Sequence, residues 1–162
     1  MSLIFDHIAI QVEGKNLANT IKWYADFFEC KKNWQQSSDF QPLTLERIPG
    51  IQSIAEMESS YFRFHLFSKK TLNDVVCENI QYHHLGFSVE NPSILDKFYE
   101  KWIKLHHSNK YYFSKNTYVT EKMIDSLGVE SLYFTDVNGL EYELTYVPVE
   151  RKTIREYSNG KR

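Results

Sequence analysis

Residues 5–13 (FDHIAIQVE) have a counterpart in residues 82–90 (YHHLGFSVE), with His7 and His84 in register at an offset of 77 (84 − 7 = 77). A second matched pair follows in residues 61–67 (YFRFHLF) and 140–146 (LEYELTY), which aligns His65 with Glu143 at an offset of 78 (143 − 65 = 78). The chain is therefore written twice. Each copy places one side chain able to bind a metal on its first strand-like segment and another on its last. Three imidazoles and one carboxylate suit a first-row divalent transition metal, so the repeat predicts a metal site formed between the copies by His7, His65, His84 and Glu143.

The segments between these pairs repeat as well. Residues 4–12 alternate as a half-buried strand, with Ile4, Ile8, Ile10 and Val12 on one face and His7, Ala9 and Gln11 on the other. From Asn16 the period becomes helical. Leu17, Ile21, Ala25 and Phe28 form the expected buried stripe, and Ile94, Phe98, Trp102 and Leu105 repeat it 77 residues later. Asn91-Pro92 reads as an N-cap followed by proline at the first helical position. Further strands are expected at 30–36, 51–57 and 61–67, and in the second copy at 111–113, 129–135 and 140–146. Residues 37–50 and 116–127 read as loops, and Asp136-Val137-Asn138-Gly139 as a hairpin turn. The resulting boundaries are a first module over 1–68, a linker over 69–79, a second module over 80–147 and a C-terminal tail over 148–162. Each module is strand, helix, strand, strand, strand, an α+β arrangement in which one helix covers one sheet face. The other face is left to line a cleft.

Composition narrows the class of partner. The 162-residue chain has a formal charge of −2 and a pI near 6.3, which leaves no electrostatic footprint for nucleic acid. No run approaches the roughly 18 apolar residues that a membrane span requires. Cys30 and Cys77 are too few for a disulfide framework and lack metal-type spacing, so they are expected to be reduced thiols of a cytoplasmic protein. No signal peptide is visible at the start of the chain. Small molecules are the partners that remain. Among the other histidines, His83 is adjacent to His84 and is expected to face away from it on the strand, while His106 and His107 end the second helix and suit a capping role.

The pattern His7-Ile8-Ala9, His84-Leu85-Gly86-Phe87-Ser88-Val89, Asp136-Val137-Asn138-Gly139 and Glu141-Tyr142-Glu143-Leu144 resembles the vicinal-oxygen-chelate superfamily of glyoxalases, extradiol dioxygenases, methylmalonyl-CoA epimerases and fosfomycin- and bleomycin-resistance proteins. The likeness spans about residues 3–147. It implies two tandem βαβββ modules forming an eight-stranded incomplete barrel. Metal ligands would come from the first and last strand of each module, here His7, His65, His84 and Glu143. Relatives of this kind commonly pair, so the resemblance also makes a homodimer an expectation, while three imidazoles and a carboxylate suit a divalent Zn, Ni, Co, Mn or Fe ion.

One departure stands out, because glyoxalases and epimerases of this kind carry Glu or Gln where this chain has His65. His65 is then a fourth ligand or an acid/base. The implied function is a glyoxalase-like, metal-dependent enzyme that binds a small oxygenated substrate and performs lyase, isomerase or epimerase chemistry through an enolate. Glu143 or His65 would move the proton, and Arg63, Glu141, Gln11 and Ser88 would contact substrate. The alternatives are an Fe(II) extradiol-type dioxygenase built on His7, His84 and Glu143, and a metal-free protein that binds a drug or metabolite.

Overall fold

The computed structural model describes residues 6–70 and 83–149, which fall into two compact units dividing between residues 81 and 82. The expected linker and tail lie almost wholly outside the described residues, as does Cys77. In the first unit, β1 (Ile8–Glu13) leads through a single 3-10 turn into α1 (Leu17–Phe27), β2 (Lys31–Gln36), α2 (Pro42–Arg47), β3 (Ile51–Glu58) and β4 (Arg63–Lys69). The sheet order is β1-β4-β3-β2. β1 runs parallel to β4, while β3 is antiparallel to both β4 and β2. This order places the first and last strands of the module side by side, with Ala9 opposite His65 and His65 opposite Glu56.

Alternation along β4 decides which side chains can do chemistry. Phe64 and Leu66 are fully buried, whereas Arg63, His65 and Phe67 on the opposite face are only half-buried. α1 closes the buried face with Trp23, Tyr24 and Phe27, and the Tyr24 ring meets Phe64 edge-on at 4.9 Å. The buried stripe differs from the expected one. Leu17 and Phe28 are buried as read, but the centre is Thr20, Trp23, Tyr24 and Phe27, with Ile21 and Ala25 half-buried. The stripe chosen from sequence follows the smaller aliphatic side chains, whereas the large aromatics fill the space over the sheet.

The second unit contains β5 (Leu85–Ser88), α3 (Ser93–His107), β6 (Met123–Ile124), β7 (Glu130–Thr135) and β8 (Glu141–Tyr146), in sheet order β5-β8-β7-β6. β5 runs parallel to β8 and sets Gly86 opposite Glu143. The α+β class and the tandem βαβββ organisation are both present. The eight strands form two four-stranded sheets, one in each unit. The Asp136–Gly139 turn forms as expected: Gly139 takes φ +90°, and Asp136 Oδ1 accepts from the backbone N–H groups of Asn138 and Leu140.

Four sequence expectations need correction. Residues 37–50 are not wholly loop, because Pro42 sits at the start of α2, where its missing N–H costs nothing. Pro92 is the N-cap of α3 rather than its first residue, and Asn91 Oδ1 accepts from Ser93 Oγ at 2.6 Å. Residues 111–113 form no strand. Tyr111 is buried, and Phe113 packs on Trp102 and His106 at ring distances of 5.7 and 4.7 Å, so these aromatics fill the helix end instead of joining a ladder. The second unit's outer strand is the two-residue β6. In α3 the buried residues are Leu95 and Trp102, while Ile94, Phe98 and Leu105 are half-buried.

Trp102 anchors α3 through both its ring and its indole N–H. It is 4% exposed, stacks on His106 at 4.8 Å and donates Nε1–H to Thr135 O at 2.8 Å. Trp102→Ala removes the largest side chain of this helix together with its hydrogen bond to the Thr135 carbonyl. Urea unfolding should show a loss of about 3–5 kcal/mol.

Candidate functional site

In the second unit, β5, β7 and β8 bring His84, Tyr133, Ser131 and Glu143 together. Glu143 Oε1 accepts from Ser131 Oγ and Tyr133 Oη, both at 2.9 Å, while Oε2 lies 3.1 Å from His84 Nε2. One carboxylate oxygen is thus held and the other faces an imidazole nitrogen. Two donors of a tetrahedral site, each about 2.0–2.1 Å from a metal, stand roughly 3.3 Å apart, so this spacing fits two adjacent ligands.

His83 does not face away from His84, which corrects the expectation drawn from strand alternation. Both residues precede β5, and their Nδ1 atoms lie 2.7 Å apart. Glu141 Oε1 lies 3.5 and 3.6 Å from those two atoms, so His83, His84 and Glu141 make a second group of possible ligands. A neutral imidazole has one lone pair, so His84 could hold a metal through only one nitrogen. The Glu143 side is the better prepared: Glu143 is pinned by two hydroxyls, whereas the His83 side chain is 84% exposed. Were an ion held on the Glu143 side, Glu141 and His83 would be left beside His84 Nδ1, placed to orient the ring. Glu141 also accepts a hydrogen bond from Tyr118, whose phenol is pushed up to about 12 by burial and by that bond.

In the first unit, His7 and His65 stack with ring centroids 3.9 Å apart. His7 Nδ1 lies 2.7 Å from Asp6 Oδ2, and because a carboxylate only accepts, His7 carries its proton on Nδ1 and keeps Nε2 for a ligand. His65 Nε2 lies 2.8 Å from Glu56 Oε2. Glu56, 7% exposed, was not singled out from sequence. The signal was there: a lone carboxylate among Ile54, Ala55 and Met57 needs a buried partner. Arg63 pairs with Asp6 and lies 3.7 Å from Glu56, so its charge is engaged by two carboxylates within its own unit.

Both histidines line a cavity of roughly 540 Å³ in the first unit, together with Gln11, Trp34, Leu43 and Phe67 among others. None of its lining residues is charged in the manner of Lys, Arg, Asp or Glu. Of the four residues expected to contact substrate, Gln11 is among those lining this cavity. Ser88 is exposed on β5 of the second unit, and Arg63 is not part of the cavity wall.

No protein-family model matches the sequence, and no curated protein is significantly similar to it. The structure is similar to a glyoxylase/bleomycin resistance protein/dioxygenase domain from Frankia sp. EAN1pec, at TM-score 0.68 and 16% identity over 92% of this chain and 95% of that one. The fold is that of the vicinal-oxygen-chelate proteins. Further members with this fold are the fosfomycin resistance protein FosX of Listeria monocytogenes complexed with Mn(II) and sulfate (TM-score 0.61, 14% identity, 94% and 99% coverage) and a glyoxalase family protein of Enterococcus faecalis (0.58, 17%, 88% and 96%). Among the described residues, no helix of this vicinal-oxygen-chelate fold is long and apolar enough to cross a membrane.

The carboxylates of the two units contribute to acid stability. Burial pushes the Glu143 pKa up, but hydrogen bonds from Tyr133, Ser131 and Thr145 and the His84 imidazole outweigh it and hold the carboxyl below its ordinary 4.5. Asn33 and His65 lower Glu56 likewise, and His7 and Arg63 lower Asp6. Lowered folded-state values mean that this stabilisation is complete above the ordinary carboxylate range and is lost as pH falls through the lowered values. Urea midpoints should therefore decline below about pH 4.5. Tyr133→Phe should shift the Glu143 carboxyl titration upward by ¹³C NMR, and an unchanged titration would contradict the assigned hydrogen bond.

Proposed function

We propose that this protein is a metal-dependent, glyoxalase-like enzyme acting on a small oxygenated substrate, with His7, His84 and Glu143 as metal ligands and His65 as the acid/base. The reading is carried by the 3.1 Å approach of His84 Nε2 to Glu143 Oε2 with the other Glu143 oxygen fixed by Tyr133 and Ser131. The Mn(II) complex of the fosfomycin resistance protein, which shares the fold, supports a divalent ion here. When bound, such an ion supplies Lewis acidity toward a substrate carbonyl or hydroxyl oxygen.

The remaining work belongs to the side chains. Of the two roles left open for His65, the bond from Nε2 to Glu56 favours the base, because a paired imidazole is oriented to accept a proton at its other nitrogen. Gln11 and Trp34 line the cavity beside it and would place the substrate, while Leu43 and Phe67 exclude water from its apolar part. Proton removal next to a carbonyl, followed by return at another position or loss of a leaving group, gives the isomerase, epimerase or lyase outcome.

Metal analysis of protein purified without chelators tests this reading. About one divalent ion per chain and loss of turnover in chelator are the expected results. A chain devoid of metal that still binds small molecules with His84→Ala would replace the enzyme with a binding protein, and oxygen uptake with a catechol after Fe(II) loading would replace the isomerase or lyase with a dioxygenase.

A further inference from the structure

The first unit holds His65 in a way that selects one of its two neutral forms. Glu56 stands opposite His65 in the β3–β4 register, and an ionised carboxylate offers only acceptors. Its Oε2 lies 2.8 Å from His65 Nε2, and its Oε1 accepts from Asn33 Nδ2 at 2.9 Å. Asn33 Nδ2 donates at the same time to Glu58 Oε2 at 2.7 Å, so two carboxylates fix which end of the Asn33 amide faces Glu56. Arg63 Nη1, 3.7 Å from Glu56, favours the charged carboxylate.

We propose that Glu56 is a positioning residue that holds His65 as the Nε2–H tautomer, leaving Nδ1 as the nitrogen that accepts a proton. The inference rests on the reading of His65 as the acid/base. It also explains how the module functions with histidine at its fourth-strand position: the carboxylate is carried by β3 instead, one strand away.

The Asn33 contact makes the consequence sharp. In Glu56→Gln, the Asn33 donor at 2.9 Å, itself fixed by Glu58, holds the new amide oxygen at the Oε1 position against the more distant Arg63 at 3.7 Å on the Oε2 side, which turns the amide NH₂ toward His65 Nε2. Nε2 then has to accept, and the proton moves to Nδ1. A substitution of nearly unchanged shape therefore inverts the tautomer.

Long-range ¹H–¹⁵N correlation spectra of the full-length, metal-free protein read this directly, with the His65 ring assigned by comparison with His65→Gln. At a pH where the ring is neutral, the wild type should show a protonated Nε2 and an unprotonated Nδ1. Glu56→Gln should exchange the two, and Glu56→Ala, which removes the partner, should give the averaged shifts of a mixture. A wild type with the proton on Nδ1, or an unchanged pattern in both variants, would overturn the proposal. Where Glu56→Gln does not fold, the wild type and Glu56→Ala decide. The metal plays no part in this measurement, so the expected pattern in a protein that binds no ion would sink the metal reading alone.

Discussion

His84→Ala is expected to empty the metal centre, with bound ion falling from about one per chain to under a tenth and turnover falling at least 100-fold. Partners behind a ligand typically cost 10–100-fold in affinity or activity when mutated, and a direct ligand should exceed that. The physical reason lies in Glu143. With Oε1 already shared by Tyr133 and Ser131, only Oε2 is offered outward, and without His84 it becomes a lone donor in its unit for the proposed centre. His83→Ala separates the two arrangements of histidine and carboxylate. If the ion is held by His84 Nε2 and Glu143, removing the exposed His83 costs no more than about tenfold in affinity. If it is held by His83, His84 and Glu141, both alanine variants lose metal equally. Equilibrium dialysis with Zn or Mn measures each case.

His65→Ala should show the opposite dissociation: metal content stays near wild type while turnover falls by roughly 10²–10⁴, the usual contribution of a positioned acid or base. Because the His65 Nε2 proton is engaged by Glu56, the ring is oriented before substrate arrives, and its loss removes an oriented group along with a basic one. The deficit should therefore appear in kcat more than in KM. The variant also leaves Glu56, 7% exposed, without its imidazole partner, although Asn33 and Arg63 remain beside it. Thermal unfolding of His65→Gln, which can still donate to Glu56, provides the folded control. Joint loss of metal and turnover in His65→Ala would make His65 a ligand instead.

Much of this architecture was legible because a strand repeats every two residues and a helix every 3.6. Phe64 with Leu66 and Tyr142 with Leu144 marked the buried faces of β4 and β8, and that alone put His65 and Glu143 on the other side. Asp136 and Gly139 announced the β7–β8 turn through local chemistry. Some errors came from periodicity itself, in the choice of the α1 and α3 stripes and the direction of His83, and others fell where periodicity carries no information. Pro42 served as readily to start α2 as to break a segment, and residues 111–113 had the composition of a strand but were drawn to Trp102.

From sequence alone came the doubling of the chain, the α+β modules and the pairing of His7 with His84 and of His65 with Glu143, because register and alternation are local properties that the order of residues contains. Only the tertiary structure revealed that Glu56 holds His65, that Tyr133 and Ser131 hold Glu143, and that His83 lies beside His84. Those contacts join neighbouring strands or depend on where a strand begins. They are decided by cross-strand register and side-chain direction, which no spacing along the chain encodes.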